Sequence, residues 1–140
     1  LGIEMTAEEK GRVHGRSLIE IAAENKTIDR DVFSEYHSTG SYTGGFMLRH
    51  GEYKYIYYVG YKPQLFHVTE DPMDQRDLID DPEYAGIAED LNKRLRRIVD
   101  PEKIDRMVKR RQQEIVDANG GRENVRKSFG PVLFSPAPKV

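Results

Sequence analysis

Cysteine is absent from this chain of 140 residues, and long apolar runs are absent as well. Without cysteine the chain has no disulfide framework and no zinc-thiolate site, although this absence assigns no compartment. Mean hydropathy is −0.72 and 33% of the residues are charged, and no segment approaches the roughly 18 apolar residues of a membrane helix. The formal net charge of −2 provides no overall attraction to nucleic acid or to acidic membranes. We therefore predict neither a membrane nor a nucleic acid as a partner.

The length of the chain fits one domain with a modest core. The chain begins at Leu1 without a charged and apolar leader, as expected of a piece of a longer protein. We expect a soluble protein, and the sequence leaves open whether its compartment is the cytoplasm or the periplasm.

Short runs of aromatic and β-branched residues predict a sheet. Phe46 to Arg49 and Glu52 to Val59 form a hairpin, because His50-Gly51 between them can supply the positive φ angles of a tight turn. Gln64 to Thr69 and Asp31 to Tyr36 add two further strands. Neighbours in sequence that pair with each other give an antiparallel sheet.

Downstream, the apolar spacing changes to three and four residues, which predicts helices. Asp81-Pro82 and Asp100-Pro101 each begin a helix, with Asp as N-cap and Pro at the first helical position. Asn119-Gly120-Gly121 ends the second helix. The apolar stripe of the first helix comprises Tyr84, Ile87, Ala88, Leu91, Leu95 and Ile98. The predicted fold class is α+β, with a small, roughly four-stranded antiparallel sheet packed by C-terminal helices.

Three patterns resemble binding sites, and each has a plainer interpretation that we adopt. The tyrosines between Tyr53 and Tyr61 can stack on nucleic acid or sugar, but half-buried strands carry the same pattern. The acidic run from Asp71 to Asp81 lacks the central glycine of a calcium loop, which favours turn and cap chemistry. The histidines have no spacing typical of a metal site. They are His14, His37, His50 and His67.

Several segments resemble the C-terminal region of sulfatases of the alkaline phosphatase superfamily. They are VFSEYH at 32–37, FMLRHGEYKYI at 46–56 and PQLFHVTEDP at 63–72. The similarity extends from Gly15 to Glu123 and to the tail, and it is greatest to bacterial arylsulfatase-like and choline-sulfatase-like members. The resemblance implies an N-terminal helical or linker segment from a domain junction at 1–30, the sulfatase C-terminal subdomain at 31–128 and an extended tail at 129–140.

The resemblance also implies that the catalytic centre lies elsewhere. Sulfatases use a formylglycine made from the cysteine or serine of a C/S-x-P-x-R motif, and this chain contains no such motif. The family's calcium ligands lie upstream of the region that is matched here. We therefore expect no catalytic residue and no metal ligand in this chain. Formylglycine and calcium are expected in the parent enzyme, and the missing N-terminal catalytic domain is the expected partner.

One polar loop is the candidate functional segment. Residues 37–45 contain three glycines, five hydroxyl groups and an imidazole between two predicted strands, and such loops often carry function. In sulfatases the corresponding loop faces the catalytic domain near the mouth of the sulfate pocket, which implies that His37, Ser41 and Tyr42 line the substrate rim. The alternative is a mobile connection in which His37 only caps a strand end. For Arg49 we predict a structural ion pair.

Two other functions remain open at this point. The chain can be the C-terminal part of a phosphonate or phosphate monoester hydrolase of the same superfamily, or an independent binding or oligomerisation module. We also expect a homo-oligomer, because a surface meant for the catalytic domain is left open. The predicted contact residues are Phe46, Tyr55, Tyr57 and Phe66, together with the tail at 129–140.

Overall fold

A computed structural model of the chain describes residues 4–13, 15, 17–24, 30–38 and 40–129. The chain divides into two compact units, Leu1–Arg30 and Asp31–Val140. His14 and the predicted tail beyond residue 129 lie outside the described residues.

Among its described residues, the N-terminal unit contains two short helices, α1 (Ala7–Arg12) and α2 (Leu18–Glu24), and neither contains a buried residue. A capping box begins α1. The Thr6 backbone N–H donates to Glu9 Oε2 at 2.8 Å, and the Glu9 backbone N–H donates to Thr6 Oγ1 at 3.3 Å. Such a reciprocal pair satisfies two backbone donors at once.

The second unit is built on an antiparallel sheet with the strand order β1-β2-β3-β4. Its strands are β1 (Val32–Tyr36), β2 (Gly45–His50), β3 (Tyr53–Tyr58) and β4 (Gln64–His67). The predicted four-stranded sheet is therefore confirmed. The tight turn lies one residue later than predicted, because His50 pairs with Tyr53 and leaves Gly51, at φ 56°, as the first turn residue. Arg49 Nε donates to the Gly51 carbonyl oxygen at 3.4 Å, where we had predicted an ion pair.

In the part of the chain that the structure describes, three α-helices follow the sheet, namely α3 (Ala85–Ile98), α4 (Pro101–Ala118) and α5 (Gly121–Phe129). A 3₁₀ turn at Pro82–Tyr84 leads into α3. Both predicted caps are present, since the side chain of Asp81 accepts from the Glu83 N–H and that of Asp100 accepts from the Lys103 N–H. Helix α5 was not predicted. Gly120 and Gly121 have φ angles of 81° and 85°, so the glycine pair that ends α4 redirects a chain that becomes helical again.

The core lies between α3 and one face of the sheet, which we call the inner face. Its buried residues are Phe46, Leu48, Tyr55, Leu65, Leu78, Leu91 and Leu95. Two of them, Leu91 and Leu95, confirm the middle of the predicted α3 stripe. Ile98 was wrongly placed in that stripe, because it is 47% exposed. Helix α3 ends at Ile98, and the extended Val99 packs against the core in its place.

The apolar residues predicted to form an open docking surface do not do so. Phe46, Tyr55 and Phe66 are 0%, 3% and 5% exposed, and Tyr57 packs against the core. Strand alternation separates the two faces of a sheet but does not say which one the helices cover. On the opposite, outer face, a shallow groove of about 190 Å³ is lined in part by Met47, Ile56 and Tyr58. The oligomeric state stays a prediction.

Candidate functional site

The loop between β1 and β2, residues 37–44, lies beside α4. Gln112 Nε2 of α4 donates to the backbone carbonyl of His37 at 2.9 Å, at the start of the loop. Asp105 Oδ1, two turns earlier in α4, accepts from the Gly44 N–H at 2.8 Å, at the end of the loop. Helix α4 therefore contacts the loop at both of its ends.

The loop is also bonded to itself and to the sheet. Ser41 Oγ donates to the Thr43 carbonyl at 2.5 Å, and Thr43 Oγ1 donates to the carbonyl of Val59 at 2.8 Å. A weaker contact joins Thr43 Oγ1 to Asp105 Oδ1 at 3.5 Å. These bonds join the loop to the sheet and to α4, and its place at a substrate rim stays a prediction. Thr39 lies outside the described residues.

Asp105 is a buried acid, with 5% of its surface exposed. Lys109 Nζ, one helical turn further on, lies 2.8 Å from Asp105 Oδ2. Burial alone pushes the pKa of Asp105 upward, but hydrogen bonds from Lys109 and from the Gly44 N–H outweigh it and lower the pKa below its ordinary value. The carboxylate is therefore ionised at neutral pH and acts as a charged acceptor for the loop.

His37 packs its ring edge-on against Phe46, with the centroids 5.1 Å apart. Neither ring nitrogen has a hydrogen-bond partner among the described residues, and Glu35 Oε2 lies 3.7 Å from Nε2. The ring also explains the glycine at position 44. A Cβ at Gly44 would come within 2.8 Å of His37 Cε1, so a larger residue there would displace the imidazole.

A cavity of about 30 Å³ lies between the loop and α4, which is room for a water or a hydroxyl group. The three predicted rim residues, His37, Ser41 and Tyr42, all line it. Tyr42 is 91% exposed, so its ring stands at the mouth of the cavity and not in its floor. The wall from α4 includes Asp105, Val108, Lys109 and Gln112. This arrangement can hydrogen-bond a small polar group.

The α4 side of this site was not predicted from the sequence. A signal was present, because Pro101, Asp105, Val108 and Gln112 recur at steps of four, three and four residues and so share one face of the helix. The N-terminal half of that face is inward, since Pro101 is fully buried. A carboxylate on a buried helix face needs hydrogen-bond or ionic partners, so the position of Asp105 on this face indicated a polar contact with another segment.

Within the described residues, no group of three or more His, Cys, Asp or Glu side chains is placed to hold a metal ion. The acidic run instead serves turns and caps, as the sequence favoured. Asp77 Oδ1, for example, accepts from the N–H groups of Leu65 and Ile79, both at 3.0 Å. Asp74 and Asp80 form ion pairs with Lys54 and Lys62.

The strand tyrosines do not form a continuous stacking surface. Tyr55 is 3% exposed in the core, while Tyr58 belongs to the outer groove. Tyr57 donates its hydroxyl to Glu102 at 2.7 Å, and its ring lies under the Arg96 guanidinium. Among the helices of the described residues, none has both the length and the apolar character to cross a bilayer.

Fold and site together define a class of protein, a small α+β unit whose antiparallel sheet packs against α3 on one face and whose polar loop is held by α4. Residues of this chain match arylsulfatase K from Danio rerio with 37% identity over 82 residues, which is 56% of the chain. No protein-family model matches the sequence.

Solved structures give the same result. A crystal structure described as that of a putative sulfatase from Bacteroides thetaiotaomicron matches 67% of the chain, with 32% identity and a TM-score of 0.54. A 2-O GAG sulfatase matches 69% with 30% identity and a TM-score of 0.56. The chain is thus a sulfatase-like C-terminal region, as the sequence predicted. It spans 15% of the arylsulfatase K chain and 20% and 21% of the two solved chains.

Proposed function

We propose that this chain is the C-terminal subdomain of a hydrolase that cleaves sulfate esters, and that the nucleophile and the metal site belong to a part of the protein outside this chain. Three relatives named as sulfatases support the class of reaction. The small share of each relative that the chain spans fits a subdomain. The proposed partner is accordingly an N-terminal catalytic domain.

The role of the chain in that enzyme is to shape access to the substrate. The single observation that carries this role is the convergence of His37, Ser41 and Tyr42 on one polar cavity. Hydroxyl and imidazole groups can hydrogen-bond the alcohol half of an ester, and an exposed aromatic ring can pack against it. We place these three residues on the leaving-group side of the substrate.

Formylglycine and calcium, which the resemblance implies for the whole enzyme, do not fit the residues present here. The sequence contains no cysteine and no Ser-x-Pro-x-Arg segment. The carboxylates of the acidic run are occupied by backbone donors and lysines. In the whole enzyme these groups supply the nucleophile and offset charge on the sulfate oxygens. The chain itself contributes no step of that chemistry.

The names of the relatives favour sulfate esters over phosphonate or phosphate monoesters. No specific observation favours an independent binding module. The cytoplasmic or periplasmic location stays a prediction.

The proposal is tested with the purified chain and with the longer protein that the gene and its upstream sequence encode. On an aryl sulfate, with and without calcium, the chain alone is expected to show no turnover, whereas the longer protein hydrolyses the ester. In the longer protein, Tyr42→Ala is expected to raise KM, with Tyr61→Ala as a matched control on another exposed tyrosine. Turnover by the chain alone, after rigorous removal of contaminating sulfatase, would contradict the proposal.

A further inference from the structure

We propose that Asp105 is a positioning residue, which together with Gln112 sets the conformation of the β1–β2 loop and so presents His37, Ser41 and Tyr42 in one arrangement. The relevance of this role to substrate rests on the proposed function. The positioning itself is a property of this chain and is tested on this chain.

Asp105 provides a charged acceptor at the end of the loop. The Gly44 N–H lies just before β2 begins and donates to Asp105 Oδ1 at 2.8 Å. Gly44 is buried, so loss of this acceptor would remove a hydrogen bond from a backbone N–H that has little access to solvent. A bond to a charged acceptor is also stronger than a neutral one.

Helix α4 holds the loop at two fixed points, one at each end of the loop. The carbonyl of His37 and the N–H of Gly44 are held by side chains that are seven residues, or about two turns, apart on α4. A helix is a rigid spacer over this distance, so it sets the separation of the loop ends. The end of the loop is also bonded to the sheet, where Thr43 Oγ1 donates to the Val59 carbonyl at 2.8 Å and the Val59 N–H donates to the Gly44 carbonyl at 3.2 Å.

The position of Gly44 determines how His37 packs. His37 fits against Phe46 only because position 44 is glycine and its backbone lies close to the imidazole ring. A shift of Gly44 therefore changes the space beside His37 and alters how the ring packs. In this way Asp105, in the α4 wall of the cavity, controls the geometry of the loop residues that line its other side.

The test uses paired variants of the full 140-residue chain. Asp105→Asn keeps an oxygen acceptor for the Gly44 N–H, whereas Asp105→Leu keeps the same number of side-chain heavy atoms and the branch at Cγ but has no acceptor. In Asp105→Leu the Gly44 amide is expected to exchange its hydrogen at least about tenfold faster, as loss of a bond to a charged acceptor implies. Asp105→Asn is expected to restore most of the protection. The Leu48 amide, in a central strand, reports any change in overall stability.

Gln112→Met provides a second variant that removes the other fixed point. It is expected to increase the fast backbone motion of the described loop residues by ¹⁵N relaxation. Gln113→Met is the matched control, because Gln113 bonds only Asp117 of its own helix in the described structure. Should Asp105→Leu fail to fold, Gln112→Met and Asp105→Asn still decide the question. Unchanged Gly44 exchange in folded Asp105→Leu, or unchanged loop motion in Gln112→Met, overturns the proposal.

In the longer protein, Asp105→Leu is expected to raise KM for a sulfate ester while Asp105→Asn stays close to wild type. A loop that loosens in the chain without any change in KM supports positioning by Asp105 and argues against the proposed substrate rim. If the longer protein shows no sulfatase activity while the loop of the Asp105→Leu chain is loosened, the positioning role is supported and the proposed function is contradicted. The proposed function and the positioning role therefore fail independently of each other.

Discussion

Replacement of Leu91 by alanine is expected to destabilise the second unit by about 3 kcal/mol, within the range of about 2 to 5 kcal/mol for buried leucines. Leu91 is 2% exposed and belongs to the core cluster under the sheet. At about 0.8 kcal/mol per buried methylene, the lost transfer free energy is about 2.4 kcal/mol. The remainder comes from the cavity that the neighbours fill only in part.

Two control variants on the same helix separate burial from other causes. Lys93→Ala removes an exposed ion pair with Glu89 at 2.6 Å, which is worth at most about 0.5 kcal/mol, and alanine favours the helix. Ile98→Ala tests the predicted stripe against the structure. Because Ile98 is 47% exposed, its truncation is expected to cost below about 1 kcal/mol.

The assay is equilibrium unfolding in urea, with the slope m compared between variants. A loss of about 3 kcal/mol is a large part of the roughly 5 to 15 kcal/mol by which domains are stable, so the midpoint shift is easily measured. Equal midpoints for Leu91→Ala and Lys93→Ala would refute the placement of α3 on the sheet. A cost for Ile98→Ala as large as that for Leu91→Ala would show that the stripe continues to the end of the helix.

Three further outcomes are expected. Asp100→Ala should cost about 1 kcal/mol in thermal melts, because it removes the N-cap of α4; an unchanged melting temperature would contradict this. Hydrogen bonds from Arg96 lower the pKa of Glu102 from 4.5 to about 2, so its stabilisation is complete above pH 4.5 and is lost as pH falls toward 2. The melting temperature of Glu102→Gln should therefore decrease less steeply than that of wild type as the pH is lowered from 4.5 toward 2. If the chain self-associates through the outer face, the mass measured by light scattering should rise with protein concentration, and the double variant Met47→Lys with Ile56→Lys should abolish this rise. Self-association that is lost only on deletion of residues 129–140 would assign the contact to the tail. A wild type that stays monomeric at all concentrations would disprove self-association.

Local chemistry explains which elements were predicted correctly. Asp81-Pro82 and Asp100-Pro101 were placed correctly, because a cap involves donors only two or three residues away. The hairpin was also found, although pairing of His50 with Tyr53 moved its turn by one residue. Helix α5 was missed because a glycine pair ends one helix without excluding another immediately after it.

The candidate site was found only in part. His37, Ser41 and Tyr42 were identified by resemblance and by the polar character of their loop, and the structure places them around one cavity. Asp105, which accepts from the Gly44 N–H of the same loop, lies 61 residues from Gly44 along the chain. No local pattern connects two such positions, because their contact depends on how α4 packs beside the sheet.

The sequence by itself determined the strands, the caps and the similarity to sulfatases, since each depends on residues close together in the chain. Tertiary structure alone decided which face of the sheet is covered, and so why Phe46 and Tyr55 are buried and unavailable for docking. It also decided that a charged side chain on α4 holds the end of the loop. Alternation and helical period define faces, but only packing of distant segments selects what each face meets.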